Sequence, residues 1–414
     1  MNMEERFQLI AKVNQVFRPG APVDKYELFA GRQVQVNDVL NAVFQPGRHV
    51  IIYGERGVGK TSLATVLSEV LNRSGLRLLE SGTINCDGSD NFSTLWHKIF
   101  REMSVVMETK QLGFFEGMTK TSQRKVSLES LLPSLATPDD VRFVLKRLPE
   151  ASIIIIDEID RIKDRETTTL LADTIKNLSD HAINSTLVLV GVAESVEDLI
   201  VEHKSIERAL VQVPMPRMSR DELTQIIDKG LTATGMTMDD GAKGWITFLS
   251  QGLPYYTHSL ALYSALKAID NDRISIEMND VAIATRTAVE KSHTIRSAYN
   301  KATVSPQKQS LYDKVLLACA LAERDNLGYF PAAAVSKPMS LIMGKKYYVT
   351  HFVRHLEEFC EEKRGRILQK KGDPRRYRYR FTDSLIRPFL ILNGMANGTL
   401  TLQILETLYK LNAE

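Results

Sequence analysis

Cysteine is scarce in this chain, with three residues, Cys86, Cys319 and Cys360, among 414. They lie far apart and form no CxxC pair, which excludes a disulfide framework and a cysteine-rich zinc site and fits a reducing compartment. An excess of charge of one sign is missing too. Fifty-three Lys and Arg stand against 50 Asp and Glu, a formal net charge of +3. Whole-chain charge therefore does not mark a nucleic-acid binder, and any basic surface has to be local. No apolar run is long enough to span a bilayer. The opening MNMEERFQLIAKVNQVF mixes acids and bases within its first seven residues and lacks a secretory apolar core, so a cytoplasmic protein is expected. No internal repeat or low-complexity tract stands out, which argues against a solenoid.

What is present is a composition 43% hydrophobic and 25% charged, that of a globular protein, at a length suited to two or three domains. Residues 1–30 read as a lead-in broken by Pro19, Gly20 and Pro22. From 31 to 215, short apolar runs alternate with helical patterns; the runs are His49–Tyr53, Arg77–Leu79, Ile153–Ile156 and Thr186–Val190. Continuous Ile/Val/Leu runs between helices predict strands buried on both faces, hence a parallel sheet in an α/β fold. Pro214 and Pro216 close this stretch, and 216–295 reads as helices only, starting at a Ser219 cap with Glu222 three residues on. Residues 305–395 hold two or three short helices and then a basic two-strand pattern. The segment 396–414 predicts one more helix, with Ile404, Leu405, Leu408 and Leu411 on one face. Residues 101–137 have helical ends and a loop-like middle, which leaves a contact insertion and a plain surface loop both open.

The strongest signal is HVIIYGERGVGKTSLA at 49–64. Gly54-Glu55-Arg56-Gly57-Val58-Gly59-Lys60-Thr61 satisfies GxxxxGK[ST] between an apolar strand and a helix, which is the context a phosphate-binding loop requires. The glycines let the backbone turn with its N–H groups inward, so residues 54–62, through Ser62, form a candidate cradle for ATP. In that pattern Lys60 reaches the β/γ-phosphates and the Thr61 hydroxyl holds Mg²⁺. A second signal, Ile153-Ile154-Ile155-Ile156-Asp157-Glu158, ends a strand in acids where an α/β sheet binds ligands. Asp157 is the candidate Mg²⁺ carboxylate, and Glu158 the candidate general base that polarises the attacking water. Asp160 and Arg161 read as solvated surface charges.

With both motifs in place, and an all-helical segment after them, the sequence resembles an AAA+ ATPase. More narrowly it is similar to the origin-recognition-like replication-initiator branch and to STAND-type and transposon-regulator ATPases. The resemblance implies a parallel-sheet P-loop domain, a helical lid and a C-terminal winged helix-turn-helix. Leu28-Phe29-Ala30-Gly31-Arg32 looks like the segment that packs on adenine in these families, which makes Phe29 and Arg32 candidate nucleotide contacts. Thr186–Ser195 matches the fourth core strand and the sensor-1 turn, ending in Glu194 or Ser195 where initiators usually carry Asn. Arg208 falls where the branch places an arginine finger acting on a neighbour's γ-phosphate, and Arg217 is a second candidate. An ordinary surface arginine is the competing reading of Arg208. In the lid, Gly252-Leu253-Pro254 resembles the GxP motif of STAND ATPases, which implies a nucleotide contact at Pro254; His258 reads as a packed helix histidine.

Residues 309–381 look like a winged helix-turn-helix, with helices over Lys308–Leu321, Pro331–Ser336 and Thr350–Cys360. A hairpin of Ile367–Lys371 and Tyr377–Phe381 follows across Gly372-Asp373-Pro374. Nine bases against three acids in 361–380 make Lys370, Lys371, Arg375, Arg376 and Arg378 candidate contacts to double-stranded DNA. The competing reading is a wing whose cations merely protect a sheet edge. Two functions result. One is an ATPase whose nucleotide state controls self-association on DNA or recruitment of a partner. The alternative is a STAND-like signalling switch, for instance in phage defence, acting on a separate effector without DNA.

Overall fold

The apolar runs His49–Tyr53, Ile153–Ile156 and Thr186–Val190 each become a strand of one sheet, with their Ile, Leu and Val side chains buried; of the run Arg77–Leu79, Leu78 and Leu79 open a strand and Arg77 lies outside the described residues. The computed structural model describes residues 1–73, 78–112, 119–200, 206–306, 310–325, 327–373 and 376–410. It divides into one unit of residues 22–216 and a second formed by 1–21 together with 217–414.

In the first unit the strands are β1 (His49–Gly54), β2 (Leu78–Asn85), β3 (Ser104–Leu112), β4 (Thr119–Ser127), β5 (Ala151–Asp157), β6 (Ser185–Val192) and β7 (Leu210–Pro214). Five of them form a parallel sheet in the order β2-β5-β6-β1-β7. The runs Val50–Ile52 and Ile153–Ile156 are almost fully buried, as expected when helices cover both faces of a parallel sheet. The helix Phe92–Glu102 stacks Phe92, Trp96 and Phe100 at successive turns, with ring centroids 6.2 and 5.3 Å apart. That spacing puts all three on one face, and each is buried.

Within 101–137, expected to have a loop-like middle, residues 104–112 and 119–127 form a two-stranded antiparallel ribbon, β3 with β4, in nine-residue register; 113–118 lie outside the described residues. Its sequences, SVVMETKQL and TKTSQRKVS, lack the apolar alternation by which a strand announces itself. The ribbon is rooted by Ser127, whose hydroxyl donates to Phe100 O at 3.1 Å, and by Leu128 N–H to Met103 O at 3.0 Å.

The second unit is mainly helical. Helix Met3–Val16 packs against helices Arg220–Thr234 and Pro254–Asp270. The Ser219 cap is present, its hydroxyl accepting Glu222 N–H while the Glu222 carboxylate accepts Ser219 N–H. Two short strands, β8 (Thr237–Met238) and β9 (Ser275–Ile276), pair in parallel within the stretch that the sequence reads as helices alone. Further on, helices Tyr312–Leu321, Ala332–Met343 and Val353–Phe359 accompany a three-stranded antiparallel sheet. It consists of β10 (Phe330–Pro331), β11 (Leu368–Lys371) and β12 (Arg378–Phe381), with β12 in the middle. The final helix, Leu402–Lys410, buries Leu405 and Leu408; Leu411 lies outside the described residues. Among the described residues no helix is long and apolar enough to cross a membrane.

Gly230 shows how tightly the second unit is packed. A Cβ there would stand 2.2 Å from Phe17 Cζ, and Phe17 is buried. Alanine ordinarily gains about 1 kcal/mol over glycine inside a helix, but overpacking costs about 1–3 kcal/mol. Gly230→Ala is therefore expected to lower the urea midpoint, and a raised midpoint would show that Phe17 moves freely aside.

Candidate functional site

Three turns lie at the carboxyl edge of the sheet: 54–60 after β1, 157–161 after β5 and 193–198 after β6. In an open α/β sheet this is the ligand-binding edge. Gly54, Gly57 and Gly59 have φ of 153, 83 and 96°, a region that glycine enters without the Cβ penalty. Gly54 is constrained further, because a Cβ would meet Met215 O at 2.5 Å.

Lys60 opens helix Lys60–Arg73. Its ammonium donates to two carbonyls of its own loop, Gly54 O at 3.0 Å and Glu55 O at 2.8 Å. Burial lowers its pKa to about 8, against the opposing pull of Asp160, Asp157 and Glu55. Asp157 is buried, and its Oδ1 accepts Glu158 N–H at 2.7 Å while Oδ2 has no hydrogen-bond partner. Burial raises the Asp157 pKa, partly offset by the Thr61 hydroxyl and the Glu158 amide. A buried carboxylate oxygen without a donor, beside a hydroxyl, fits a hard cation held by few protein ligands. No cluster of three or more His, Cys, Asp or Glu suited to a metal occurs among the described residues. A Mg²⁺ here would take its remaining ligands from water and phosphate, which is its usual habit.

Glu158 sits in the left-handed region, φ 58° and ψ 36°, uncommon for a side chain of its size. Its exposed carboxylate pairs with Arg161 Nη1 at 2.9 Å. Asp160, expected as a solvated charge, accepts Val192 N–H at 2.7 Å and so ties this turn to the end of β6. Nothing in the local spacing signals that contact, since the two residues are brought together by strand pairing. In the third turn, the N–H groups of Glu194 and Ser195 donate to Asp198 at 3.2 and 3.1 Å.

The remaining sequence candidates occupy varied positions. Ser62 Oγ accepts Val23 N–H at 3.1 Å. Arg56 is exposed, Val58 is buried and Phe29 is buried at 8% exposure. Arg32 is buried too, and its Nη2 donates to Val58 O and Pro216 O. Arg208 is exposed and just precedes β7; β7 begins beside His49, at the opposite end of β1 from Gly54. Arg217 belongs to the second unit, where its Nη1 donates to Gln251 O at 3.0 Å. Pro254 is buried at the first turn of its helix in that unit. His258 is buried there, with its ring 6.2 Å from Phe17.

Of the candidate DNA-contact cations, Lys370, Lys371 and Arg376 are exposed. Arg375 lies outside the described residues. Arg378 is on the middle strand and pairs with Asp325 at 3.2 Å. Exposure alternates along β12, with Tyr379 and Phe381 buried and Arg378 exposed. Sequence reasoning missed a second set of exposed cations, Lys345, Lys346 and Arg354, before and on helix Val353–Phe359. The run Lys345-Lys346-Tyr347-Tyr348 was their signal.

With this geometry in view, comparison with known proteins gives a consistent answer. Residues 45–200 match the family described as AAA domain. The structure is similar to the ORC1 protein of Aeropyrum pernix in complex with DNA. That likeness has a TM-score of 0.50 and 15% identity, covering 94% of this chain and 98% of that one. It is also similar to the Aeropyrum pernix ORC2 protein in its ADPNP-ADP complexes, with a TM-score of 0.51, 14% identity and coverage of 96% and 98%. At such identities the likeness establishes the fold. No curated protein matches the chain in sequence.

Proposed function

On the premise that this chain carries an AAA domain at residues 45–200, we propose that it hydrolyses ATP and uses its nucleotide state to control assembly on double-stranded DNA or recruitment of a partner. The observation that carries the reading is the Lys60–Asp157 arrangement: a buried ammonium parked on loop carbonyls, near a buried carboxylate oxygen that lacks a donor. On binding ATP, Lys60 exchanges those carbonyls for β/γ-phosphate oxygens, and the N–H groups of the loop and helix start receive the others. Thr61 and Asp157 would hold Mg²⁺, which supplies charge neutralisation to the phosphates when bound. Glu158 orients the attacking water and takes its proton, once its carboxylate turns from Arg161.

Arg208 is assigned to a neighbouring subunit's phosphates for a geometric reason. β1 spans six residues, His49–Gly54, or about 17 Å at ~3.3 Å per step. Arg208 stands at the far end of it, beyond the reach of an arginine side chain to its own loop. Turnover per subunit is therefore expected to rise with protein concentration, and Arg208→Ala to remove that rise. A variant that keeps the concentration dependence would discard the assignment.

Three helices beside a three-stranded sheet support reading 312–381 as a winged helix, and the exposed Lys370, Lys371 and Arg376 support duplex binding by it. Removing one cation–phosphate pair should reduce the slope of log affinity against log salt by about 0.9. Reversing these three charges together is expected to flatten that slope, as measured by fluorescence anisotropy on a duplex. The second reading is a DNA-independent switch, favoured by the Gly252-Leu253-Pro254 turn at a buried helix start. ATP turnover indifferent to duplex at low salt, with ADP retained through purification, would select it.

A further inference from the structure

We infer that Arg32 is a positioning residue through which the ATP-binding loop holds the strand exit at Met215–Pro216, so that occupancy of the loop is passed to the end of its unit. The inference rests on the reading that the loop takes ATP and assigns Arg32 a task other than contact with adenine.

Gly31 and Arg32 occupy the left-handed region in succession, with φ of 64 and 61°. A residue with a Cβ is disfavoured in that region, so the surroundings must hold Arg32 there. The turn buries its guanidinium, and Nη2 donates to Val58 O at 3.2 Å and to Pro216 O at 2.5 Å. Val58 is the buried residue between Gly57 and Gly59 in the loop. Pro216 is the last residue of the unit. One side chain thus spans the loop and the exit.

Two further contacts zip the exit to the same loop. Met215 N–H donates to Tyr53 O at 2.7 Å, and Met215 O closes so tightly on Gly54 that a Cβ would stand 2.5 Å away. The loop has a reason to move. Lys60 is bonded to Gly54 O and Glu55 O, and ATP recruits that ammonium, so these carbonyls change partner as nucleotide enters. Arg32 transmits the resulting shift of Val58 to Pro216, because a single nitrogen, Nη2, carries the two N–H donors that hold both carbonyls, so moving one acceptor moves the donor of the other.

The test is amide hydrogen exchange at Met215, with and without saturating ATP. In the unaltered chain ATP is expected to slow it by roughly tenfold, within the range of ordinary couplings between sites. Arg32→Ala at saturating ATP should show no such slowing, and Arg32→Lys an intermediate one. A merely structural loss would speed exchange equally in both conditions and leave the ATP-dependent ratio intact, which overturns the inference. So does an unaltered chain that binds a fluorescent ATP analogue but shows no slowing. If Arg32→Ala does not fold, Arg32→Lys decides, and a full ATP response in it overturns the inference. Absence of ATP binding by the unaltered chain would instead remove the ATP reading, and this inference with it.

Discussion

Replacing Lys60 by alanine is expected to reduce ATP turnover at least about hundredfold, the scale on which single groups that stabilise transition-state charge contribute. The expectation follows from where the lysine sits. Lys60 as a residue is only 7% exposed and its ammonium is largely desolvated, so the phosphate contacts it makes are strong ones. Loss of a distant surface cation would do far less. Lys60→Arg should not restore the rate, since the loop accepts a point donor between Gly54 O and Glu55 O and a guanidinium has another shape. The lowered pKa adds a pH signature. Burial brings Lys60 to about 8, so the charged form declines as pH rises through that value, and apparent ATP affinity should fall with it. Titration with a fluorescent ATP analogue between pH 7 and 9 would measure this. Turnover in Lys60→Ala equal to the unaltered rate would place the chemistry elsewhere.

The second large effect is acid destabilisation through two buried histidines. His49, at the start of β1, accepts Leu187 N–H through Nδ1 at 3.0 Å, and its Nε2 is buried without a partner. Burial lowers its pKa to about 4. His258, in the second unit, is likewise brought to about 4, chiefly by burial and then by the nearby charge of Arg18. Both fold as neutral rings, whereas the unfolded chain takes up protons near pH 6.5. The stabilisation is therefore complete above pH 6.5 and is lost as pH falls from there toward 4. A displacement of this size corresponds to about 3 kcal/mol for each histidine. Urea midpoints measured from pH 7 to 4.5 should fall steeply. His49→Asn, whose side-chain oxygen can accept Leu187 N–H without titrating, and His258→Leu should each flatten the curve. Equal steepness in both variants would assign the acid sensitivity to carboxylates instead.

The elements best read in advance are those whose information is local. The loop at 54–61 is legible because glycines enter its positive φ values without a Cβ penalty and a Lys-Thr pair opens the helix that follows. β1, β5 and β6 are legible because strands buried on both faces need unbroken apolar runs. The Ser219–Glu222 cap is a contact across three residues and could hardly be missed. The β3–β4 ribbon was not legible, because its strands gain their partners from each other and carry no apolar face to betray them.

The candidate site divides along the same line. The candidates for contact with phosphate, metal and water come from two short motifs, 54–61 and 153–158, whose spacing is local. Several decisions needed the folded chain. Strand pairing joins Asp160 to Val192. The parallel arrangement of β7 with β1 sends Arg208 to the end away from the loop. A left-handed turn points Arg32 at Val58 and Pro216, 26 and 184 positions away. Sequence fixes chemistry where it depends on neighbours a few bonds apart. Contacts across the chain are selected by burial and hydrogen-bond satisfaction over the whole sheet, and only tertiary structure decides them.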